Sequence, residues 1–435
     1  MISETPTMIN NQRTIALVRF FDKASSLQHD TQRLANGEEV ESYLTMHSLA
    51  EALALVSNAT PEQKAKRLES FFNPVLQARA KLGQGIHDRA EAMVFAGAKE
   101  TAEDYHWLKS FFPLYAKSVS LLHKTVRSGE VWDLSARAGY WGVSDTQDVS
   151  CIVNIGTLVL EKNASVVIQG NILSLLCGQI ICDEPDDPGL YHIGILPTPF
   201  SADHGDGPLD GIQGKNGKAG FNGIDGDTVH VRYDILGPWI DESKEYNTSA
   251  TAGVNGEHGE DGRKGRNGGM CKLAEISIGT IKGNLGIFAQ AGRGGNGGNG
   301  GAGGNGGNGG NGGHAAKGFN ETVPAGKAGS AGNGGSGGKG GHAGHGGLSS
   351  NIYINLPNDN AGQISLVALP AEGGIAGKGG AAGTKGQRGR GGNSIDRSVS
   401  ATECEAMNGS NGKDGLSGRE RPAATYYVND IIFNQ

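Results

Sequence analysis

The sequence predicts a multidomain α + β protein: an N-terminal helical bundle, a short β-rich or solenoid neck, and a C-terminal bundle of polyglycine-II helices with interspersed β-strands. Three observations carry this expectation. The first 130 residues show helix-period apolar spacing; β-branched runs take over near residue 150; and after residue 205 glycine recurs at every third position in long tracts. The corresponding domains are 1–130, 141–200 and 201–435.

In the first zone, VESYLTMHSLAEALALVSNA (40–59) places Tyr43, Leu44, Leu49, Leu53 and Val56 close to a 3.6-residue period. Thr60 followed by Pro61 and Glu62 is a helix start, because threonine caps and proline fits the first turn. The helix begun there runs toward Gly83, with a kink expected at Pro74. HDRAEAMVFAGAKETAEDYHWLKSFF and PLYAKSVSLLHKTVRSG supply further helices that stop at Gly129. A bundle of four to six helices is the expectation.

The neck, CIVNIGTLVLEKNASVVIQGNILSLLCGQIIC, is β-branched and aliphatic, broken by Gly156, Lys162-Asn163 and Gly170-Asn171. Strands of five to seven residues in a sheet, or a few rungs of β-solenoid, fit it.

The chain holds 74 glycines in 435 residues, against a usual share of roughly 7 %. They fall in triplet register in six tracts: 211–226, 253–268, 294–312, 326–347, 374–392 and 409–418. A disordered linker has no reason to keep such a register. Glycine at every third residue suits an extended helix of three residues per turn, which has no internal hydrogen bonds and must find partners outside itself. No tract contains proline, which favours a bundle built by one chain over a collagen-like triple helix. GGNGGNGGAGGNGGNGGNGGH (294–314) offers two all-glycine faces, and 326–347 approaches the same, so both belong inside; 211–226 and 253–268, with one glycine face each, belong outside. Asn296, Asn299, Asn305, Asn308 and Asn311 then form a ladder along one edge. The segment ISIGTIKGNLGIFAQAGRGG returns about 80 residues later as IYINLPNDNAGQISLVALPAEGG, a repeat of strand, turn, strand and tract.

Composition narrows the chemistry. A net charge of −7 gives no general pull toward nucleic acid, and no apolar run is long enough to cross a membrane. The N-terminus lacks the basic and apolar regions of a Sec signal peptide, so cytoplasmic synthesis followed by release, particle attachment or non-classical export is expected. Five scattered cysteines read as buried small hydrophobes in a reducing compartment. No nucleophile elbow, zinc-protease motif or phosphate loop is present, and the expectation is a non-enzyme without cofactor. Asp183, Asp186, Asp203 and Asp206 lie in acidic segments whose oxygens suit calcium, although a solvated loop is the plainer reading. Lys378, Lys385, Arg388 and Arg390 read as solvent-facing charges rather than a nucleic-acid motif, and His314, His342 and His345 as polar tips of tracts.

The long connectors between tracts carry the recognition signal. Residues 237–252, 314–325, 393–408 and 418–424 should sit at the ends of a stiff bundle, and Trp239, Tyr246, Phe319 and Arg397 are the candidate ligand contacts. This alternation of proline-free Gly-x-y tracts with polar, aromatic loops over about 205–435 resembles the distal tail-fibre adhesins of T-even-like phages. The resemblance implies a polyglycine-II sandwich presenting loops to a cell-surface glycan or protein receptor. Springtail antifreeze proteins share the tract pattern, but charged residues here replace a flat small-residue face, which argues against ice binding. The alternative expectation is a bacterial toxin, for instance insecticidal, with a membrane-active helical segment in 1–130 and a glycine-rich targeting module.

Overall fold

The structure is a computed structural model and describes residues 6–71, 85–102, 104, 112–143, 149–187, 189–199, 209–241, 243–357, 363–395 and 405–433. The N-terminal zone corrects the expected helical bundle. Helices α1 (Pro6–Ser26), α2 (Thr31–Ala35), α3 (Leu49–Leu55), α4 (Pro61–Phe71) and α5 (Gly85–Ala96) are interrupted by strand β1 (Val40–Met46) and followed by the long strand β2 (Leu114–Val126). Segments 40–46 and 114–126 were both expected to be helical. β2 is buried on both faces, with Ala116, Ser118 and Ser120 on one side and Val119 and Leu121 on the other. A strand buried on both faces gives a nearly continuous apolar run, which periodicity alone does not separate from a helix. β1 then pairs antiparallel with β2, Val40 opposite Ser120 and Met46 opposite Leu114. The helix expected over 40–59 begins only after this strand, where Ser48 accepts the Glu51 N–H. At α4, Thr60 and Gln63 exchange side-chain-to-backbone hydrogen bonds as a capping box. Pro74 lies outside the described residues.

From β2 onward the backbone coils through two parallel sheets. The coil strands of the larger sheet are β2, β4 (Val149–Leu160), β6 (Ile172–Cys182), β10 (Ala274–Lys282), β14 (Ile352–Asn355) and β16 (Tyr426–Val428). Those of the smaller sheet are β3 (Val131–Asp133), β5 (Ser165–Gln169), β7 (Ile193–Leu196), β11 (Leu285–Gln290) and β15 (Ile364–Leu369). Each turn lays one strand in each sheet, and every junction between successive turns is parallel. The solenoid is therefore not a short neck; its rungs extend to Tyr426. β1 closes the larger sheet antiparallel at one edge, and β17 (Ile431–Ile432) does so at the other. Between the sheets lies an aliphatic core that includes Val153, Leu175, Ile276, Ile287 and Ile354. Cys151 and Cys177 are buried in it, and burial pushes both thiols up to about 12.

The helices cover the outer face of the larger sheet and share a core with it. Phe71, Val94 and Phe95 pack with Ile152, Tyr353 and Tyr427, while α1 crosses β4 and β6. A buried ionic network pins this layer. Arg67 of α4 donates to Glu275 of β10 at 2.5 Å and to Asp430 in the β16–β17 turn at 2.7 Å. Its guanidinium lies 4.5 Å from the Tyr353 ring centre. The Asn58 N–H donates to the other Glu275 oxygen at 2.6 Å.

The glycine tracts are long excursions from this coil. Two leave and return between β7 and β10, two between β11 and β14, and two between β15 and β16. Within an excursion the tracts run antiparallel: the Glu257, Glu260 and Arg263 N–H groups donate to Lys218, Lys215 and Ile212. Between excursions, like tracts run parallel: Gly211, Gly214 and Gly217 donate to Asn296, Asn299 and Ala302. The bonds recur every three residues along each tract, the period of a threefold extended helix. The result is a layer of outgoing tracts (211–226, 294–312, 374–392) on a layer of returning ones (253–268, 326–347, 409–418).

Tract 294–312 bonds to tracts 211–226, 253–268, 326–347 and 374–392, and tract 326–347 likewise contacts 253–268, 294–312, 374–392 and 409–418. These are the two tracts with two glycine faces, and a Cβ on Gly301 would collide with the Lys215 carbonyl. The asparagines then solve the remaining problem, the amides of the decorated positions. Asn296, Asn299, Asn305, Asn308 and Asn311 accept the N–H groups of Ile375, Lys378, Thr384, Gln387 and Arg390 at 2.7 to 2.9 Å. His314, His342 and His345 do the same through Nδ1 for Asn393, Leu416 and Arg419. At about 3.1 Å per residue the sixteen residues of tract 211–226 span roughly 50 Å.

Candidate functional site

Because every excursion leaves from and returns to the solenoid, the described connector residues 227–241, 243–252, 313–325, 393–395 and 405–408 lie at the far end of the glycine bundle. Residues 418–424, also expected to be an end connector, lead back into the solenoid at β16 instead, with Arg421 bridged to Ala371. Among the described residues the far end carries a small fold of its own. The Asp227 and Asn247 backbones and the Asp227 carboxylate close the base of the first connector. Above it β8 (Val231–Asp234) and β9 (Gly237–Ile240) form a hairpin, with Arg232 opposite Trp239 and Tyr233 opposite Pro238. A second hairpin, β12 (Ala316–Lys317) and β13 (Thr322–Val323), comes from the next excursion. Asn320 ties the two together, accepting the Ile240 N–H at 3.1 Å and donating to the Ile240 carbonyl at 2.8 Å. Ile240, Ala316 and Val323 form a buried nucleus with Val229, Val231 and Tyr246 against it.

The apex is apolar and projects outward. Ile235 and Leu236 fill the turn and are 104 % and 71 % exposed; Tyr233 and Phe319 beside them are 81 % and 70 % exposed. The turn is held from below. One Asp234 carboxylate oxygen accepts the Leu236 N–H at 2.8 Å and the Trp239 indole N–H at 3.1 Å. Gly237 has φ +119° and lies under the Phe319 ring, where a Cβ would strike the ring itself. The Phe319 N–H donates to the Pro238 carbonyl at 2.8 Å. Apart from Asp234 in the turn itself, the charged residues stand back from Ile235 and Leu236 and carry both signs: Arg232, Lys244 and Lys317 with Asp241, Glu245 and Glu321. Ser243 hydrogen bonds hold the Asp241 carboxyl below its usual range.

The candidate ligand contacts thus fare differently. Phe319 is exposed, Trp239 is half-buried with its N–H engaged by Asp234, and Tyr246 packs on the tip nucleus. Arg397 lies outside the described residues. Tyr233, Ile235 and Leu236 were missed, because VHVRYDIL reads as one strand. The signal against that reading was DILG, two aliphatics enclosed by turn-forming Asp and Gly.

The described acidic candidates, Asp183 and Asp186, follow β6 on the solenoid rather than lying at the tip. The Asp186 carboxylate bonds Lys162 at 2.5 Å and Asn163 at 3.0 Å, contacts that hold it below the usual range. The Asp183 carbonyl bonds His192 Nε2 at 2.9 Å. Asp203 and Asp206 lie outside the described residues. Among the described residues no three His, Cys, Asp or Glu side chains converge as a metal-binding group, and no helix is long and apolar enough to cross a membrane.

One buried hydroxyl–imidazole cluster lies at the other end of the chain. His29 Nε2 is 3.0 Å from both Ser42 Oγ and Ser118 Oγ, which are 2.7 Å from each other. Burial pushes the imidazole below its ordinary value. Its Nδ1 has no acceptor to orient it, and Ser118 is fully buried. A base that activates a serine needs both an orienting partner and substrate access, so this cluster reads as packing between α2 and the β1–β2 pair.

No family model, curated protein or solved structure matches the chain.

Proposed function

We propose that the protein is a non-enzymatic surface-recognition protein of the adhesin type, in which the solenoid forms the base and the glycine rod carries a recognition tip toward a cell surface. The observation that carries this reading is that the first two inter-tract connectors meet at one end of the rod, where Tyr233, Ile235, Leu236 and Phe319 stand exposed. Large apolar side chains grouped on a soluble surface mark interaction sites, and loops held on a rigid scaffold are where recognition concentrates. The glycine core suits the scaffold role, since its backbone hydrogen bonds leave little freedom between base and tip.

The test is a titration of fluorescently labelled full-length protein onto a panel of bacterial and animal cells, beside the Ile235→Ser/Phe319→Ser variant. Saturable binding to a cell type, lost in the variant, supports the proposal. Binding to none of the cells, or binding that the variant retains in full, overturns it.

A further inference from the structure

We infer that the β8–β9 turn is a membrane-contacting wedge, in which Ile235 and Leu236 enter the edge of a lipid bilayer while Tyr233 and Trp239 sit at headgroup level. The inference rests on the tip being the recognition end, and adds to it the chemistry of what is touched.

Three features of the turn point to lipid. The first is its polarity order. Strand pairing puts Ile235 and Leu236 at the summit, Asp234 opposite Gly237 directly behind them, Tyr233 opposite Pro238 next, and Arg232 opposite Trp239 behind those. At about 3.3 Å per residue, the aromatic level lies roughly 7–10 Å below the summit. An aliphatic summit, a carboxylate behind it engaged by the Leu236 and Trp239 N–H groups, and then tyrosine and tryptophan with Arg232 at the tryptophan level suit a bilayer interface, where tyrosine and tryptophan straddle apolar and wet regions.

The second is preorganisation. The Asp234 carboxylate takes up the Leu236 N–H and the Trp239 indole N–H from inside the turn, which leaves the two aliphatic side chains facing outward. The summit pair itself, Ile235 and Leu236, offers a sugar neither a flat ring nor a side-chain hydrogen bond; the exposed rings of Tyr233 and Phe319 stand beside it. Trp239, the ring best suited to a sugar, has its donor occupied.

The third is charge. The chain carries a net −7, and the residues around and behind the summit mix Arg232, Lys244 and Lys317 with Asp234, Asp241, Glu245 and Glu321. Attraction to anionic headgroups is therefore not the driving term, and a zwitterionic surface suffices. Ile235 and Leu236 project outward from the turn, 104 % and 71 % exposed, which suits a fluid surface that closes around them.

The experiment is co-sedimentation of the full chain with phosphatidylcholine vesicles and with phosphatidylcholine–phosphatidylserine vesicles. Tryptophan emission is followed in parallel. The expected result is binding to both vesicle types without gain from phosphatidylserine, and a blue shift that disappears in Trp239→Phe. Ile235→Ser/Leu236→Ser should weaken binding about tenfold or more, because two exposed aliphatic side chains lose their apolar environment. Phe221→Ser/Ile224→Ser, a pair equally exposed on the flank of the rod, should bind as the unaltered protein does. Absence of vesicle binding, or equal binding by the summit variant, overturns the inference. If cells are still bound through the tip while vesicles are not, recognition stands and its target is a protein or glycan; if neither is bound, both readings fall.

Discussion

Gly301 gives the sharpest test of a core built from backbone. It lies in the middle of tract 294–312, where its N–H donates to the Glu260 carbonyl at 2.9 Å and its carbonyl accepts the Gly338 N–H at 2.8 Å. A Cβ added there would run into the Lys215 carbonyl. The obstacle is backbone, so no side chain can rotate away, and relief requires tract 211–226 to move outward. That movement stretches the Gly214 and Gly217 N–H bonds to Asn299 and Ala302, both 2.8 Å. Overpacking costs about 1–3 kcal/mol and two weakened hydrogen bonds about 0.5–1.5 kcal/mol each, so Gly301→Ala should destabilise by about 2–5 kcal/mol. Gly391, in tract 374–392, is the matched control, since a Cβ there meets no atom within 4 Å. Gly391→Ala should be neutral or stabilise by about 0.4–1 kcal/mol, through the lost freedom of the unfolded chain. Urea unfolding of the two variants, compared at a common slope, reads the difference directly. Equal midpoints for the two variants would refute the backbone-contact reasoning.

Three further outcomes follow from the same structure. Arg67→Met should cost about 3–5 kcal/mol, because Glu275 and Asp430 are left as buried charges without their partner; adding Glu275→Gln should recover part of it in a double-mutant cycle. Asn308→Ala removes the side-chain acceptor for the Gln387 N–H, and should cost about 0.5–1.5 kcal/mol and speed hydrogen exchange at Gln387 while leaving Gly309 protected. Burial lowers the Lys23 ammonium from 10.5 to about 8, with its Nζ donating to the Leu55 carbonyl at 2.7 Å. Between those values the unfolded chain holds the proton and the folded one does not, so this residue's contribution is full above 10.5 and is lost as pH falls through about 8. Stability measured against pH should therefore rise across that window by up to about 1.4 kcal/mol per unit more in the unaltered protein than in Lys23→Met.

Legibility in the sequence tracked how local each signal was. The glycine register is local and redundant, and the number of glycine faces on a tract states how many neighbouring backbones it admits. The strand segments between tracts were visible as alternating apolar runs, yet their meaning was not, because Ala274 and its rung partner Ile352 are separated by an entire glycine excursion. That separation is why the solenoid looked like a short neck. β1 and β2 were read as helices for a different reason: helices α1–α5 cover one face of the sheet and the smaller sheet covers the other, so Ser118, Ser120 and Ala116 are as buried as Val119. Such burial erases the polar–apolar alternation that marks a strand. At the tip, Phe319 was legible as an aromatic in a glycine-flanked loop, while Ile235 and Leu236 were hidden by their resemblance to strand residues.

The hairpin form of each glycine excursion makes the rod a ruler. Adding one Gly-x-y triplet to an outgoing tract and one to its returning mate lengthens that arm by about 9 Å and restores the hydrogen-bond register with the parallel tract beside it. An insertion that is not a whole number of triplets puts a side chain where Gly301 or Gly338 now meets a carbonyl. Reach therefore changes in fixed steps, made in concert across the arms, while the rungs beneath and the loops above are left untouched. Distance from the base and identity of the tip are separately inheritable in this design.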